Sequence, residues 1–164
     1  MTFEKDDALD EFVELYNSSN VAVDISGWEL WDPGTGNWFT FPAGSILEPG
    51  AYALVVAGVQ PGGALPTLGP NDLAFNAGRP SALINNPGDN VYLVDTVSGT
   101  FITAAFGNWP VIDPTDPSDW ANAPSSTAAL PGFPAGVTQV GKGEHFGPVT
   151  PGTSLSRTPN GGTT

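Results

Sequence analysis

Asp10-Glu11-Phe12-Val13-Glu14-Leu15-Tyr16-Asn17, followed after a short gap by Ser26-Gly27-Trp28-Glu29-Leu30-Trp31-Asp32, is the stretch whose reading decides the fold. Asn17-Ser18-Ser19-Asn20 follows the first run, and its short polar side chains bond their own backbone and favour a turn. From Glu11 to Tyr16 the side chains alternate, with Val13 and Leu15 on one face and Phe12, Glu14 and Tyr16 on the other. The face without a charge is expected to be core. From Gly27 to Asp32 the same period groups Trp28 with Leu30, and Glu29 with Trp31. Trp28 is therefore expected inside.

The pattern continues outward. Val21 to Ile25 reads as a short edge strand, Pro33-Gly34-Thr35-Gly36-Asn37 as a turn, and Trp38 to Phe41 as a strand. Two Pro/Gly corners occupy Phe41 to Gly50. Ala51 to Ala57 is the longest apolar strand, with Tyr52, Leu54 and Val56 on one face. Gly58 to Arg79 reads as a loop, and Ala82-Leu83-Ile84 as a short strand or turn. Val91 to Asp95 and Phe101 to Phe106 form a hairpin across Val97-Ser98-Gly99-Thr100. Ser154 to Arg157 is the last strand candidate, before a tail over 159–164 that is expected to fray. No ten-residue helix can be placed. Short strands between regular turns point to an all-β sandwich of two sheets.

Length and composition agree. The 164 residues suit one domain spanning 1–164, and five Trp, three Tyr and nine Phe supply a core. Residues 107–148 hold seven Pro and six Gly and are expected to form a loop-rich excursion. Four basic against 17 acidic residues leave a net charge of −13, which opposes binding to nucleic acid or to an anionic membrane surface. There is no Cys, hence no disulfide frame and no thiolate chemistry. No apolar run approaches the ~18 residues of a spanning helix, so membrane insertion is not expected. Met1-Thr2-Phe3-Glu4-Lys5 lacks the apolar region of a signal peptide, so the chain is expected to be either intracellular or, the favoured reading, a segment of a longer exported chain.

Several of these stretches resemble one family, the lamin tail domain in its bacterial or archaeal form. Glu11 to Asn17 is similar to its opening strand and first turn, and Ser26-Gly27-Trp28-Glu29-Leu30 to its Gly-Trp strand. Phe41-Pro42-Ala43-Gly44 with Leu47-Glu48-Pro49-Gly50 resembles its double corner. Ala82-Leu83-Ile84-Asn85 with Gly88-Asp89-Asn90-Val91 looks like its later strand pair, and Ser154 to Gly161 like its closing segment. The resemblance implies an immunoglobulin-like β-sandwich with no catalytic residues. In nuclear lamins the domain is a platform for partners, and bacterial relatives look like accessory modules beside secreted or surface hydrolases. The chain departs from the family in a reduced opening strand and a long 107–148 segment.

Four sets of residues are candidates for chemistry. Asp113, Asp116 and Asp119 recur at every third position in an Asp-Pro run, a spacing that would let them converge on a hard cation such as Ca²⁺. Asp6, Asp7, Asp10 and Glu11 form a weaker acidic group. Trp31 and Trp38 are expected on an outer face, with Trp109 and Trp120 bracketing the Asp-Pro run, as platforms for a sugar ring. His145 is the single histidine and has no Gly-x-Ser-x-Gly elbow to serve. The expectation is a non-catalytic binding or scaffolding module at the cell surface or outside the cell, with a protein or polysaccharide partner and no required cofactor. The alternative is a Ca²⁺-dependent carbohydrate-binding domain accessory to a secreted hydrolase.

Overall fold

The computed structural model describes residues 11–59, 61–79, 84, 88–120, 130 and 132–147. The strand candidates at Ala82-Leu83-Ile84 and Ser154–Arg157, the 159–164 tail and the Asp6, Asp7 and Asp10 group lie outside them, apart from Ile84. The chain falls into two compact units. One is drawn from residues 11–26 and 42–79, the other from 27–41 and 84–147.

The first unit is built on β1 (Phe12–Tyr16), which runs antiparallel to β6 (Tyr52–Val56). Val13 and Leu15 turn inward, as the alternation predicts, while Phe12, Glu14 and Tyr16 remain exposed. β6 packs on both faces, because Ala53 and Val55 are buried and Leu54 is nearly so. Asn17 closes the first turn as expected: its Nδ2 donates to the carbonyls of Val21 and Leu47, both at 2.8 Å, and its Oδ1 accepts the Ser19 N–H. β2 (Val23–Asp24) pairs with β5 (Ile46–Leu47) between the corners. A strand that the sequence did not announce, β7 (Leu73–Asn76), lies inside the Gly/Pro-rich 58–79 stretch and pairs parallel with β6.

The second unit is a six-stranded sheet. Its path is β10 (Thr138–Gln139), β9 (Thr100–Gly107), β8 (Gly88–Asp95), β3 (Glu29–Asp32) and β4 (Gly36–Thr40), with β11 (Glu144–Phe146) also on β9. β8 and β9 form the expected hairpin, in register from Gly88↔Gly107 to Asp95↔Thr100. Its turn is tied by Asp95 Oδ1, which accepts the N–H groups of Val97 and Ser98. A register shift between Leu30 and Trp31 re-aims β3 against β4.

The 107–148 excursion belongs to this unit. β10 and β11 are parallel to β9, the strand that the excursion leaves. A parallel return requires a crossover, because the chain must travel back to the beginning of the strand before pairing with it. Described residues of the crossover lie over one face of the sheet. There Trp109, Ile112 and Leu130 are buried with Trp31, Tyr92, Val94 and Phe101, and Phe133 and Val137 pack against them. Asn90 anchors its start: Nδ2 donates to the Pro110 carbonyl at 3.0 Å and Oδ1 accepts the Ile112 N–H at 3.1 Å. Only a four-residue helix, α1 (Pro117–Trp120), appears among the described residues, and none there is long and apolar enough to cross a membrane.

Candidate functional site

In the Asp-Pro run Asp113 and Asp116 each serve their own turn, and Asp119 ties the end of the run to its start. Backbone bonds from Asp116 N–H to the Asp113 carbonyl and from Asp119 N–H to the Asp116 carbonyl set two successive turns. Asp113 Oδ1 accepts the Thr115 N–H and hydroxyl at 2.8 and 2.7 Å, and Asp116 Oδ1 accepts those of Ser118 at 2.8 and 2.7 Å. Asp119 Oδ2 reaches back to the Asp113 N–H at 2.9 Å. The Ser118 hydroxyl, then its N–H, holds the Asp116 carboxyl below its usual range. Among the described residues no three acidic or His side chains gather to hold a metal ion. One oxygen each of Asp113, Asp116 and Asp119 is engaged by donors of the run itself instead of turning toward a shared centre.

Beneath this loop the Tyr92 phenol is fully buried, and its hydroxyl makes no hydrogen bond among the described residues. Burial first, then the charges of Asp89, Asp113, Asp32 and Asp119, push it far above the ordinary tyrosine range. It stays a neutral phenol at any physiological pH and cannot serve as a base.

The tryptophans also depart from expectation. Trp31, Trp38 and Trp109 are 6%, 4% and 5% exposed, which removes them as sugar platforms. Trp31 lies under the crossover, with its ring edge-on to Phe133 at 5.4 Å and its Nε1 donating to Glu29 Oε2 at 2.8 Å. The side chain of Trp120 lies outside the described residues. Trp28, expected in the core, is only half-buried and lines an apolar groove of about 270 Å³ with Leu93, Ile102 and Val140. Three of the four tryptophans named for a sugar ring are thus buried. His145 is exposed on β11, in register with Ala105.

The first unit carries Phe12 and Tyr16 beside Glu14 on β1, aromatics whose sequence setting suggests shielding by a missing strand or a neighbour rather than a ligand platform. Register places Phe12, Glu14 and Tyr16 of β1 beside Val56, Leu54 and Tyr52 of β6 on a common face. Phe12 and Tyr16 are 45% and 37% exposed, and the Tyr16 and Tyr52 rings lie 4.9 Å apart. Asp72, just before β7, is fixed by the N–H groups of Tyr52 and Gly69 at 2.8 and 2.9 Å. Partial burial, then the nearby Asp72 charge, raises the Glu14 carboxyl above its usual range. The available signal was the outward alternation of two aromatics about a carboxylate in β1. Its significance depended on Tyr52 and Asp72 being brought alongside.

The polar atoms of this arrangement are carboxylates and phenols, and no nucleophile–base pair stands among them. Compared with known proteins, residues 2–107 match the sequence model described as Lamin Tail Domain, up to the last residue of β9. No curated protein matches the chain.

Proposed function

This chain belongs to the lamin tail domain family, and on that premise we propose that it is a non-catalytic binding module of a longer exported or cell-surface protein, engaging a protein partner. The family is immunoglobulin-like and non-enzymatic, and the chain shares its β-sandwich fold class. The observation that carries the reading is the outward row Phe12, Glu14 and Tyr16 of β1, in which two large aromatics face solvent from a regular strand. Exposed aromatic side chains on a rigid sheet bind at low entropic cost, which suits recognition. The net charge of −13 favours a protein partner over nucleic acid or a lipid surface.

The test is retention of the exported parent chain at the cell surface, with this segment intact or carrying Phe12→Ser and Tyr16→Ser together. Loss of retention with the fold preserved is expected, and unchanged retention would count against the reading. Turnover of phosphodiesters or glycosides by the chain itself, abolished by a point substitution, would end the non-catalytic assignment.

A further inference from the structure

We infer that the face formed by Phe12, Glu14 and Tyr16 of β1 with Tyr52 and Val56 of β6, flanked by Asp72, docks an extended Lys- or Arg-bearing segment of a partner protein. The inference rests on the binding-module reading and names the chemistry of its partner.

Two carboxylates stand near one another among aromatic rings. Asp72 cannot turn away, because two backbone N–H groups hold its oxygens. Glu14 lies between Phe12 and Tyr16 along the strand, and no described cation offsets the two influences that raise its carboxyl. Folding has therefore brought like charges together where an incoming cation would relieve them. The flanking rings suit the same cation: Tyr16 and Tyr52 offer π faces, and Phe12 and Val56 offer apolar surface to a long aliphatic stem.

The shape selects a segment over a small cation. A quaternary ammonium ion is held by a cage of rings on several sides, whereas here the exposed side chains Phe12, Glu14 and Tyr16 form a row along a five-residue strand. A strand rises ~3.4 Å per residue, so Phe12 and Tyr16 stand roughly 14 Å apart, the span of a short extended peptide. The remaining negative charge of the chain steers a basic segment inward but does not define where it sits.

The full chain is titrated with the peptide acetyl-Arg-Ala-Arg-Ala-Arg-amide, followed by amide and aromatic chemical shifts. Shifts confined to Phe12, Glu14, Tyr16, Tyr52 and their neighbours are expected, weakening with salt. Glu14→Gln and Tyr16→Ala should each weaken binding by roughly threefold. Asp24→Asn, which removes an exposed carboxylate on β2, should leave it unchanged. Absent binding, shifts scattered over the surface, or an equal loss from Asp24→Asn would overturn the inference, the last two showing attraction to bulk charge alone. The two readings separate: surface retention that needs Phe12 and Tyr16 without peptide binding overturns only the basic partner. Peptide binding at this face with retention unaffected overturns only the module's role in retention.

Discussion

Phe133→Ala tests whether the 107–148 crossover is an integral part of the sheet unit. Phe133 is half-buried, and its ring meets three others edge-on: Trp31 at 5.4 Å, Tyr92 at 5.6 Å and Phe101 at 5.4 Å. A half-buried Phe removes roughly 100 Å² of apolar surface from water, about 2.5 kcal/mol at 25 cal/mol per Å². Edge-to-face pairs add about 0.5–1.5 kcal/mol each beyond area, and three pairs sharing one ring are not additive. The expected loss is therefore about 3–4 kcal/mol, and the melting temperature should fall by roughly 6–16 °C for a chain of this size. Phe133→Leu keeps most of the area but loses the ring geometry, so it should cost about 1–2 kcal/mol. Urea denaturation followed by tryptophan fluorescence gives both values, with exposed Val140→Ala as a control expected within about 0.5 kcal/mol. A Phe133→Ala loss below about 1 kcal/mol would refute the coupling. So would a separate early transition that leaves Trp31 and Trp109 unperturbed.

Asn90→Leu preserves volume but leaves the Pro110 carbonyl and the Ile112 N–H without their partner. Denaturant titration should show a loss of about 2–4 kcal/mol, with faster amide exchange at Ile112. Gly88 sits at φ +149°, and a Cβ there would meet the Phe106 carbonyl oxygen at 2.6 Å and the Asn108 nitrogen at 2.7 Å. Gly88→Ala should therefore cost roughly 2–5 kcal/mol by thermal melt. Glu14 titrates at a higher pH folded than unfolded, so the native state binds more protons across the carboxyl range. Its contribution is most favourable below the unfolded pKa and is lost as pH rises through the folded one. Glu14→Gln should thus gain stability at neutral pH and none in acid, a contrast read from melts at both. Calorimetric titration with Ca²⁺ and a glycan panel should give flat heats, because the Asp-Pro carboxylates are engaged within their own run and three of the four nominated tryptophans are buried.

The alternation in β1 was legible because period two is a local property of the chain. So were the Asn17 turn, the β8–β9 hairpin and the parent family. β7 was not, since Leu73-Ala74-Phe75-Asn76 has no alternating pattern and becomes a strand by pairing with β6. Trp28 and Trp31 exchanged their expected environments for a related reason. Periodicity separates two faces of a strand, but it does not say which face another segment covers. Trp31 is covered by Trp109, Ile112 and Leu130, which lie far along the chain.

The sequence by itself determined the all-β class and the lamin tail family, because composition, short-range period and local motifs carry those properties. Tertiary structure decided the rest. It drew described residues of the Pro/Gly-rich crossover onto the sheet, where apolar burial outweighs the entropy of ordering them, and so took Trp31 and Trp109 away from solvent. It also brought Tyr52 and Asp72 beside Phe12, Glu14 and Tyr16. A face made from three separate stretches exists only once the strands are in register, because pairing across strands brings such distant residues into contact.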